Sequence, residues 1–478
     1  MKFTQFGLIL SLFASVSARA LDLKDASIAA APDLTGPERK AVEMLRLEVE
    51  ARTGLRWLAR GANPAEGPVI SVRHGSGTRP AEGFRLIVRD GRVEIQGNDE
   101  RGTLFGVGRL LRELRWGRGS ATIDDNLDIT SSPQYPLRGH QIGYRPKVNT
   151  YDAWTPAVFE QYVRDLAVFG TNAIELIPPR SDDDDQSPHF HLPKIEMMVE
   201  MSRIIASYGL AVWIWFPAMD KDYRDPKTVE FAIKEWGAVF EKLPSIDAVF
   251  VPGGDPGNAS PAVLMNLLEK QSGVLRKSHP RAQMWVSPQG WDAPRMSEFL
   301  NLVKAEPRWL DGVVYGPWTR LSLPELRAGI PARYPIRRYP DITHSIHSQY
   351  PIPGWDVAYA VTEGRETINP RPVDQAKIFR LLSPRTIGFI TYSEGVNDDL
   401  NKIVWSSLGW NPEADVTGIL REYARYFISP ARADEFAQGL LSLEQNWRGP
   451  LLILVISQDE PNSAKLASWP DHEGLIRN

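Results

Sequence analysis

The chain has 478 residues, 42% of them hydrophobic, a formal net charge of -4 and no cysteine. That length and apolar content suffice for two or three domains with large cores. The charge balance offers no basic field for nucleic acid, and the lack of cysteine excludes disulfides, thiolate metal sites and a cysteine nucleophile, leaving carboxylates, histidines and hydroxyls to carry any chemistry.

Residues 1–20 have the order of a secretory signal peptide: Lys2, the apolar run "FGLILSLFASVS", then Ala18, Arg19 and Ala20. Cleavage is expected near Ala20, with a secreted or periplasmic mature protein. The apolar run is too short to span a bilayer, and no later stretch approaches about 18 to 20 uninterrupted apolar residues, so no membrane partner is expected.

Residues 21–130 read as a small α+β domain. The segment "GPERKAVEMLRLEVEARTG" predicts a helix, "PVISVRH" a strand, and "GFRLIVRDGRVEIQG" a hairpin turning at Asp90-Gly91 between two alternating runs. A second helix is predicted at "RGTLFGVGRLLREL", with Leu104, Val107, Leu110, Leu111 and Leu114 on one face. Ser-Ser-Pro and Tyr-Pro in "NLDITSSPQYPLRG" favour an extended linker.

Over residues 136–412 apolar strands alternate with amphipathic helices. Strands are predicted at "GHQIGY", "NAIELIPP", "AVWIWFP", "AVFVPGG", "QMWVSP", "DGVVYGPW", "YPIRRYPD" and "TIGFITYS". Repeated βα units imply a parallel sheet, and this number in this length matches an α/β fold of the (β/α)8 TIM-barrel type. A doubly wound open sheet is the competitor; it is disfavoured because no Gly-x-Gly-x-x-Gly turn follows the first strand and because polar or aromatic residues stand at nearly every strand's C-terminal end. Residues 413–478 read as a helical segment, "VTGILREYARYFIS" and "ARADEFAQGLLSLEQNW", followed by an irregular tail.

In such a barrel the strand C-termini form the mouth of the active site. Asp255 in "AVFVPGGDPGN" would stand at the fourth strand's end, with glycines that let a ligand approach the backbone; the alternative is a turn in which Asp255 caps the helix starting near Ser260. Glu394 follows Tyr392 at the eighth strand, with Asn397, Asp398 and Asp399 beyond it; a rim salt bridge is the alternative for Glu394, and a helix cap is preferred for Asp398 and Asp399. Two carboxylates on different strands of one mouth suit glycoside hydrolysis, where one protonates the leaving oxygen and the other stabilises or attacks the sugar centre or activates water. Glu175 on the second strand is the reserve carboxylate.

Further candidates for substrate contact are His140 and Arg145 on the first strand, Trp215 on the third, Asn258 beyond the fourth, Gln289 after the fifth, Tyr315 and Trp318 on the sixth, Asp341 after the seventh and Tyr392 on the eighth. Aromatic faces stack on the apolar faces of sugar rings, and an arginine suits a substrate carboxylate or hydroxyl. Trp213 and Trp215, two residues apart, should point the same way. His344 and His347 have the spacing of metal ligands without an evident third, so neither a metal nor any cofactor is expected. The run "RSDDDDQSPHFH" reads as a solvated loop, lacking the glycine and terminal glutamate of an EF-hand.

The segment "EGFRLIVRDGRVEIQGNDERGTLFGVGRLLREL", followed by "YPLRGHQIGY", resembles the small domain and barrel entrance of the family 20 β-N-acetylhexosaminidases and family 67 α-glucuronidases. The resemblance implies a two-domain glycosidase layout acting on a carbohydrate. In family 20 the fourth-strand motif ends Gly-Gly-Asp-Glu, where the Asp orients the acetamido group and the Glu is the general acid. Asp255 matches that Asp, while Pro256 stands where the Glu should be. The expectation is therefore a secreted glycoside hydrolase using Asp255 and Glu394, with Glu394 as general acid because packing beside Tyr392 would raise its pKa. The rival expectation is a catalytically inactive carbohydrate-binding barrel. The sequence carries no indication of oligomeric state.

Overall fold

The computed structural model of the protein describes residues 20–60, 67–75, 80–145, 151–182, 185–342, 370–393, 395 and 398–446. The expected signal peptide, apart from Ala20, and the C-terminal tail lie outside the described residues.

The N-terminal domain runs β1 (Ala20–Asp22), β2 (Ser27–Ala30), α1 (Gly36–Thr53), β3 (Leu58–Arg60), β4 (Val69–His74), β5 (Phe84–Arg89), β6 (Arg92–Gly97), α2 (Glu100–Glu113), β7 (Arg115–Gly117), β8 (Ser120–Asp124) and β9 (Leu127–Ser131). A six-stranded sheet, β3-β2-β4-β6-β5-β9, carries α1 and α2, and β1-β8-β7 form a smaller sheet. Thr35 and Glu38 make a reciprocal capping box at the start of α1, and Gly54, at φ 75°, ends it. Asp90 and Gly91 both take positive φ, the turn that the β5-β6 hairpin requires. The predicted linker is only partly a linker. Its first half is β9, pairing Ile129 with Leu86 of β5, because Leu127 and Ile129 alternate onto the sheet's packed face before Ser-Ser-Pro ends the run. The very short β1, β3 and β7 have no period long enough to read from sequence.

The barrel follows as β10 (Leu137–Gln141), α3 (Pro156–Val168), β11 (Ala173–Leu176), α4 (Lys194–Ser207), β12 (Ala211–Trp215), α5 (Pro226–Lys242), β13 (Ala248–Pro252), α6 (Pro261–Ser278), β14 (Gln283–Ser287), α7 (Ala293–Lys304), β15 (Gly312–Tyr315), α8 (Leu323–Gly329), β16 (Ile336–Arg338), α9 (Pro372–Leu382), β17 (Gly388–Thr391) and α10 (Asp399–Trp410). All eight strands are parallel, in ring order, and β10 closes on β17, which rules out the open sheet. Closure needs Gly388: its φ is 130°, and a Cβ there would lie 1.8 Å from the Leu137 carbonyl oxygen. Leu137, Trp213, Trp215, Phe250, Trp285, Val314 and Ile390 fill the barrel interior, and a separate layer packs the strands' outer faces against the helices. Two more helices, α11 (Val416–Phe427) and α12 (Ala433–Asn446), follow the last barrel helix. Among the described residues no helix is long and apolar enough to cross a membrane.

Two of the polar joints between these parts centre on buried charge. Arg138 on β10 is fully buried and donates to Glu82 of the small domain at 2.6 Å, to the Gly170 carbonyl and to the Tyr135 carbonyl; Arg101 and Asn172 share the same carboxylate. Burial alone would raise the Glu82 pKa, but the Arg138 and Arg101 guanidiniums outweigh it and hold the carboxyl below its ordinary value. The second joint brings α1, α3 and α11 together: Arg52 donates to the Tyr426 carbonyl at 2.8 Å, and the Tyr426 hydroxyl lies 3.1 Å from a Glu48 carboxylate oxygen and 3.2 Å from one of Asp165. Burial first, then the neighbouring Glu48 carboxylate, pushes the Asp165 pKa up to about 7 against the pull of Arg52.

Glu82→Ala should leave Arg138 buried without its counter-ion and cost about 3 to 5 kcal/mol, measured by denaturant unfolding. Because the folded pKa of Glu82 is depressed, its contribution is present above the unfolded value of about 4.3 and should fade as pH falls through the folded value. Asp165 acts in the opposite sense. Between about pH 4 and 7 the folded chain keeps a proton that the unfolded chain loses, so stability falls with rising pH by up to about 1.4 kcal/mol per unit. Asp165→Asn should remove that slope when wild type and variant are unfolded in parallel across this range.

Candidate active site

The mouth is built from the loops that leave the strands' C-terminal ends. Asp255 leaves β13 with its side chain exposed, on a loop fixed by backbone contacts. The Gly254 N–H donates to the Gln289 carbonyl at 2.8 Å, and the buried Gln289 side chain donates back to the Asp255 carbonyl at 2.6 Å. The two glycines are explained by this packing, not by a ligand's approach. A Cβ on Gly253 would stand 2.5 Å from the Ser287 carbonyl and 2.9 Å from the Trp291 ring, and one on Gly254 would stand 2.9 Å from the same ring. Asp255 is not the cap of α6 either: Ser260 holds that position. Trp318 completes this side of the mouth. Its carbonyl accepts from Gly290 at 3.3 Å, and its ring is 61% exposed on a residue at φ 61°, a conformation uncommon for a bulky side chain. Asn258 accepts from Arg295 at 3.0 Å and braces this loop to α7.

A second group gathers where the barrel closes. Arg145, beyond β10, is buried, donates to the Tyr392 hydroxyl at 3.2 Å and lies 3.6 Å from an Asp182 carboxylate oxygen. Its guanidinium sits over the rings of Trp215 and Tyr392, with centroids at 5.9 and 5.8 Å. Tyr392 pairs with Asp341 across the ends of the seventh and eighth strands. The structure therefore brings Asp255, Gln289 and Trp318 together beyond strands four to six, and Arg145, Asp341 and Tyr392 beyond strands one, seven and eight, with the Trp215 ring reaching Arg145 from the barrel interior. Strands four and eight, which carry Asp255 and Tyr392 beyond their ends, lie four places apart in a ring of eight and so face each other across the mouth.

Three expected site residues are placed elsewhere. Glu175 points into the barrel interior below the mouth, fully buried, where it pairs with Arg337 and accepts from Gln141 at 3.0 Å; burial pushes its carboxyl pKa up. It forms a buried strut of the barrel interior. His140 points outward into the helix layer, with one ring nitrogen 2.8 Å from Thr391 Oγ1 and the other 2.8 Å from Ser406 Oγ on α10. Burial, then the charge of Lys402, holds it well below the ordinary imidazole range. Tyr315 follows the inward-facing Val314, so it packs on the outer layer rather than in the mouth. Glu394, Asn397, His344 and His347 lie outside the described residues. Among the described residues no group of three His, Asp or Glu side chains is placed to hold a metal ion.

Sequence reasoning missed a buried cluster beside the closure. Asp398 stands at the start of α10 but makes no side-chain cap; it pairs instead with the fully buried Lys402, one turn along. Lys402 Nζ also donates to the hydroxyls of Tyr151 and Tyr162, each at 3.0 Å, and to the Gly395 carbonyl at 2.8 Å. Burial would lower the Lys402 pKa, but Asp398 reverses this and keeps it above the ordinary value, while burial drives Tyr151 up to about 12. The signal in sequence was the i,i+4 Asp-Lys spacing, which is ordinarily a surface pair.

Residues 15–125 match the family model described as glycosyl hydrolase family 20, domain 2. The GH20 β-N-acetylhexosaminidase of Streptomyces coelicolor A3(2) superposes with a TM-score of 0.62 at 14% identity, over 86% of this chain and 93% of that one. A GH138 enzyme targeting pectin rhamnogalacturonan II gives 0.61 at 13% identity, over 90% and 70%. A GH20 exo β-N-acetylglucosaminidase from Vibrio harveyi gives 0.57 at 12% identity, over 88% and 76%. A search of curated protein sequences finds no match. The resemblance of residues 82–114 to the small domain of family 20 is borne out, as is the layout of a small domain before a (β/α)8 barrel.

Gly253→Ala should force the Asp255 loop off the Ser287 carbonyl and the Trp291 ring, at a cost on the order of 1 to 3 kcal/mol. Asn258→Ala, which loses one exposed bond, should stay within about 0.5 kcal/mol. Thermal unfolding of the two variants beside the wild type measures the contrast.

Proposed function

We propose that the protein is a glycoside hydrolase, exported under the direction of residues 1–20, that acts at the barrel mouth with Asp255 and Glu394 as its carboxylates. The observation that carries this reading is the mouth itself. An exposed carboxylate stands on a loop braced by backbone contacts, in the same barrel mouth as a buried arginine held against two aromatic rings. Glycoside hydrolysis asks for a fixed carboxylate on each side of a sugar whose hydroxyls and apolar faces are gripped by polar and aromatic groups. Arg145 and Tyr392 supply polar contacts, and Trp318 supplies an exposed platform held in a strained conformation, the kind of feature that clusters at functional sites.

The roles follow from environment. Asp255, exposed at the end of the fourth strand, takes the role of stabilising, attacking or orienting. Glu394, two residues beyond Tyr392, takes the acid role that Pro256 denies to the fourth strand. The similarity to enzymes named for N-acetylhexosaminides and for pectin rhamnogalacturonan II supports a carbohydrate substrate.

Purified protein assayed at about pH 5 to 7 on a panel of aryl glycosides, N-acetylhexosaminides and glucuronides included, should turn over one sugar class. Asp255→Asn and Glu394→Gln should each lower kcat by roughly 10²-fold or more. Unchanged rates in both variants would end this assignment, and sugar binding without turnover would make the barrel a binding module.

A further inference from the structure

The barrel closes between its first and eighth strands, and the loops beyond those strands are tied together twice. The first tie is the bond from Arg145 to Tyr392. The second lies one residue further along the β17 loop: the Tyr151 hydroxyl is 2.8 Å from Ser393 Oγ and donates to the Gly395 carbonyl at 3.0 Å. Tyr151 belongs to the same β10-α3 connection as Arg145, so both ties join the same two loops.

Lys402 anchors the second tie from below. Its ammonium reaches oxygens from three segments: Tyr151 of the β10-α3 connection, Tyr162 of α3, and Gly395 with Asp398 of the β17-α10 connection. Ser393 Oγ also lies 3.1 Å from an Asp398 carboxylate oxygen, which closes the cluster into a ring. An apolar side chain could fill this space at similar or lower cost, since a buried ion pair is weak evidence for stability. What it could not do is hold a loop carbonyl and a tyrosine hydroxyl at one distance from each other. Trp154 packs edge-on against both tyrosine rings, at 4.8 and 5.1 Å, which leaves those hydroxyls little room to swing.

We propose that Lys402 and Tyr151 are positioning residues for the mouth: they fix the start of the β17-α10 loop against the β10-α3 loop and thereby set Tyr392 against Arg145. Neither touches the sugar. The activity readout rests on the glycosidase reading above; the structural readout does not.

The test uses the full-length mature protein and two variants, Tyr151→Phe, which removes one hydroxyl, and Lys402→Met, which removes the ammonium. Hydrogen exchange of peptides covering 389–398 should speed up roughly tenfold in Tyr151→Phe while peptides of β12 to β15 keep their wild-type rates. On a hydrolysed glycoside, kcat/KM should fall roughly ten- to a hundredfold with Tm changed by only a few degrees. Tyr162→Phe, which removes a contact of Lys402 and a bond to Asp399 of α10 but none to Ser393 or Gly395, should lower Tm comparably without speeding exchange at 389–398. Wild-type exchange in Tyr151→Phe, or a loss of activity that merely follows Tm across the three variants, would overturn the proposal. If the wild type hydrolyses nothing, the glycosidase reading fails, and the exchange pattern alone decides whether the tether exists. Should Lys402→Met fail to fold, Tyr151→Phe still decides it.

Discussion

A side chain on a parallel barrel strand faces either the barrel axis or the helix layer, and this two-residue alternation governs what every residue of the barrel can do. On β10 it sends Leu137 and Gln141 inward and Arg138 and His140 outward. The inward set joins the packed interior, where Trp213, Phe250 and Tyr339 surround the Arg337 guanidinium with their rings. The outward set meets other elements, Arg138 the small domain and His140 the last barrel helix. Only beyond the strand ends does the chain escape the alternation, and there Arg145, Asp255 and Trp318 reach the mouth.

Buried charge supplies the joints of this architecture. An ionised group taken out of water is costly unless a partner and further hydrogen bonds accompany it, so each buried pair tolerates little displacement. Arg337 with Glu175 ties the seventh strand to the second through the interior. Arg138 with Glu82 fixes the small domain on the barrel. Lys402 with Asp398 lies at the closure. The C-terminal helices add a fourth joint, because Glu444 of α12 accepts from the backbone N–H groups of Val373 and Asp374 and so caps the start of α9, where the macrodipole favours an anion. Helices after the barrel thus brace its wall, and Tyr426 of α11 links them back to α1.

Much of the fold was legible because its signals are local. The eight apolar runs, the Asp90-Gly91 hairpin and the two amphipathic helices of the small domain each reflect a period or a turn that a few neighbouring residues define. The strand-end rule placed Asp255, Gln289, Arg145 and Tyr392 at the mouth for the same reason. Where the expectations failed, the deciding partner was far along the chain. Glycines 253 and 254 invite a ligand in sequence, yet the space beside them belongs to Trp291 and Ser287. The ring of His140 looks available until Ser406, on a helix remote in sequence, takes one of its nitrogens.

The order of helices and strands and the set of polar residues at strand ends could be read from the chain alone, because periodicity and turn chemistry act over a few residues; the likeness to a two-domain glycosidase came from the family resemblance of residues 82–114. Tertiary structure alone decided which of those residues face the mouth, which are sealed in the interior, and that an Asp-Lys pair of ordinary helical spacing is the anchor of the closure. Those outcomes depend on strand phase and on partners up to several hundred residues away, such as Arg52 and Tyr426, whose meeting is set by the closure of the barrel and the packing of the helices around it.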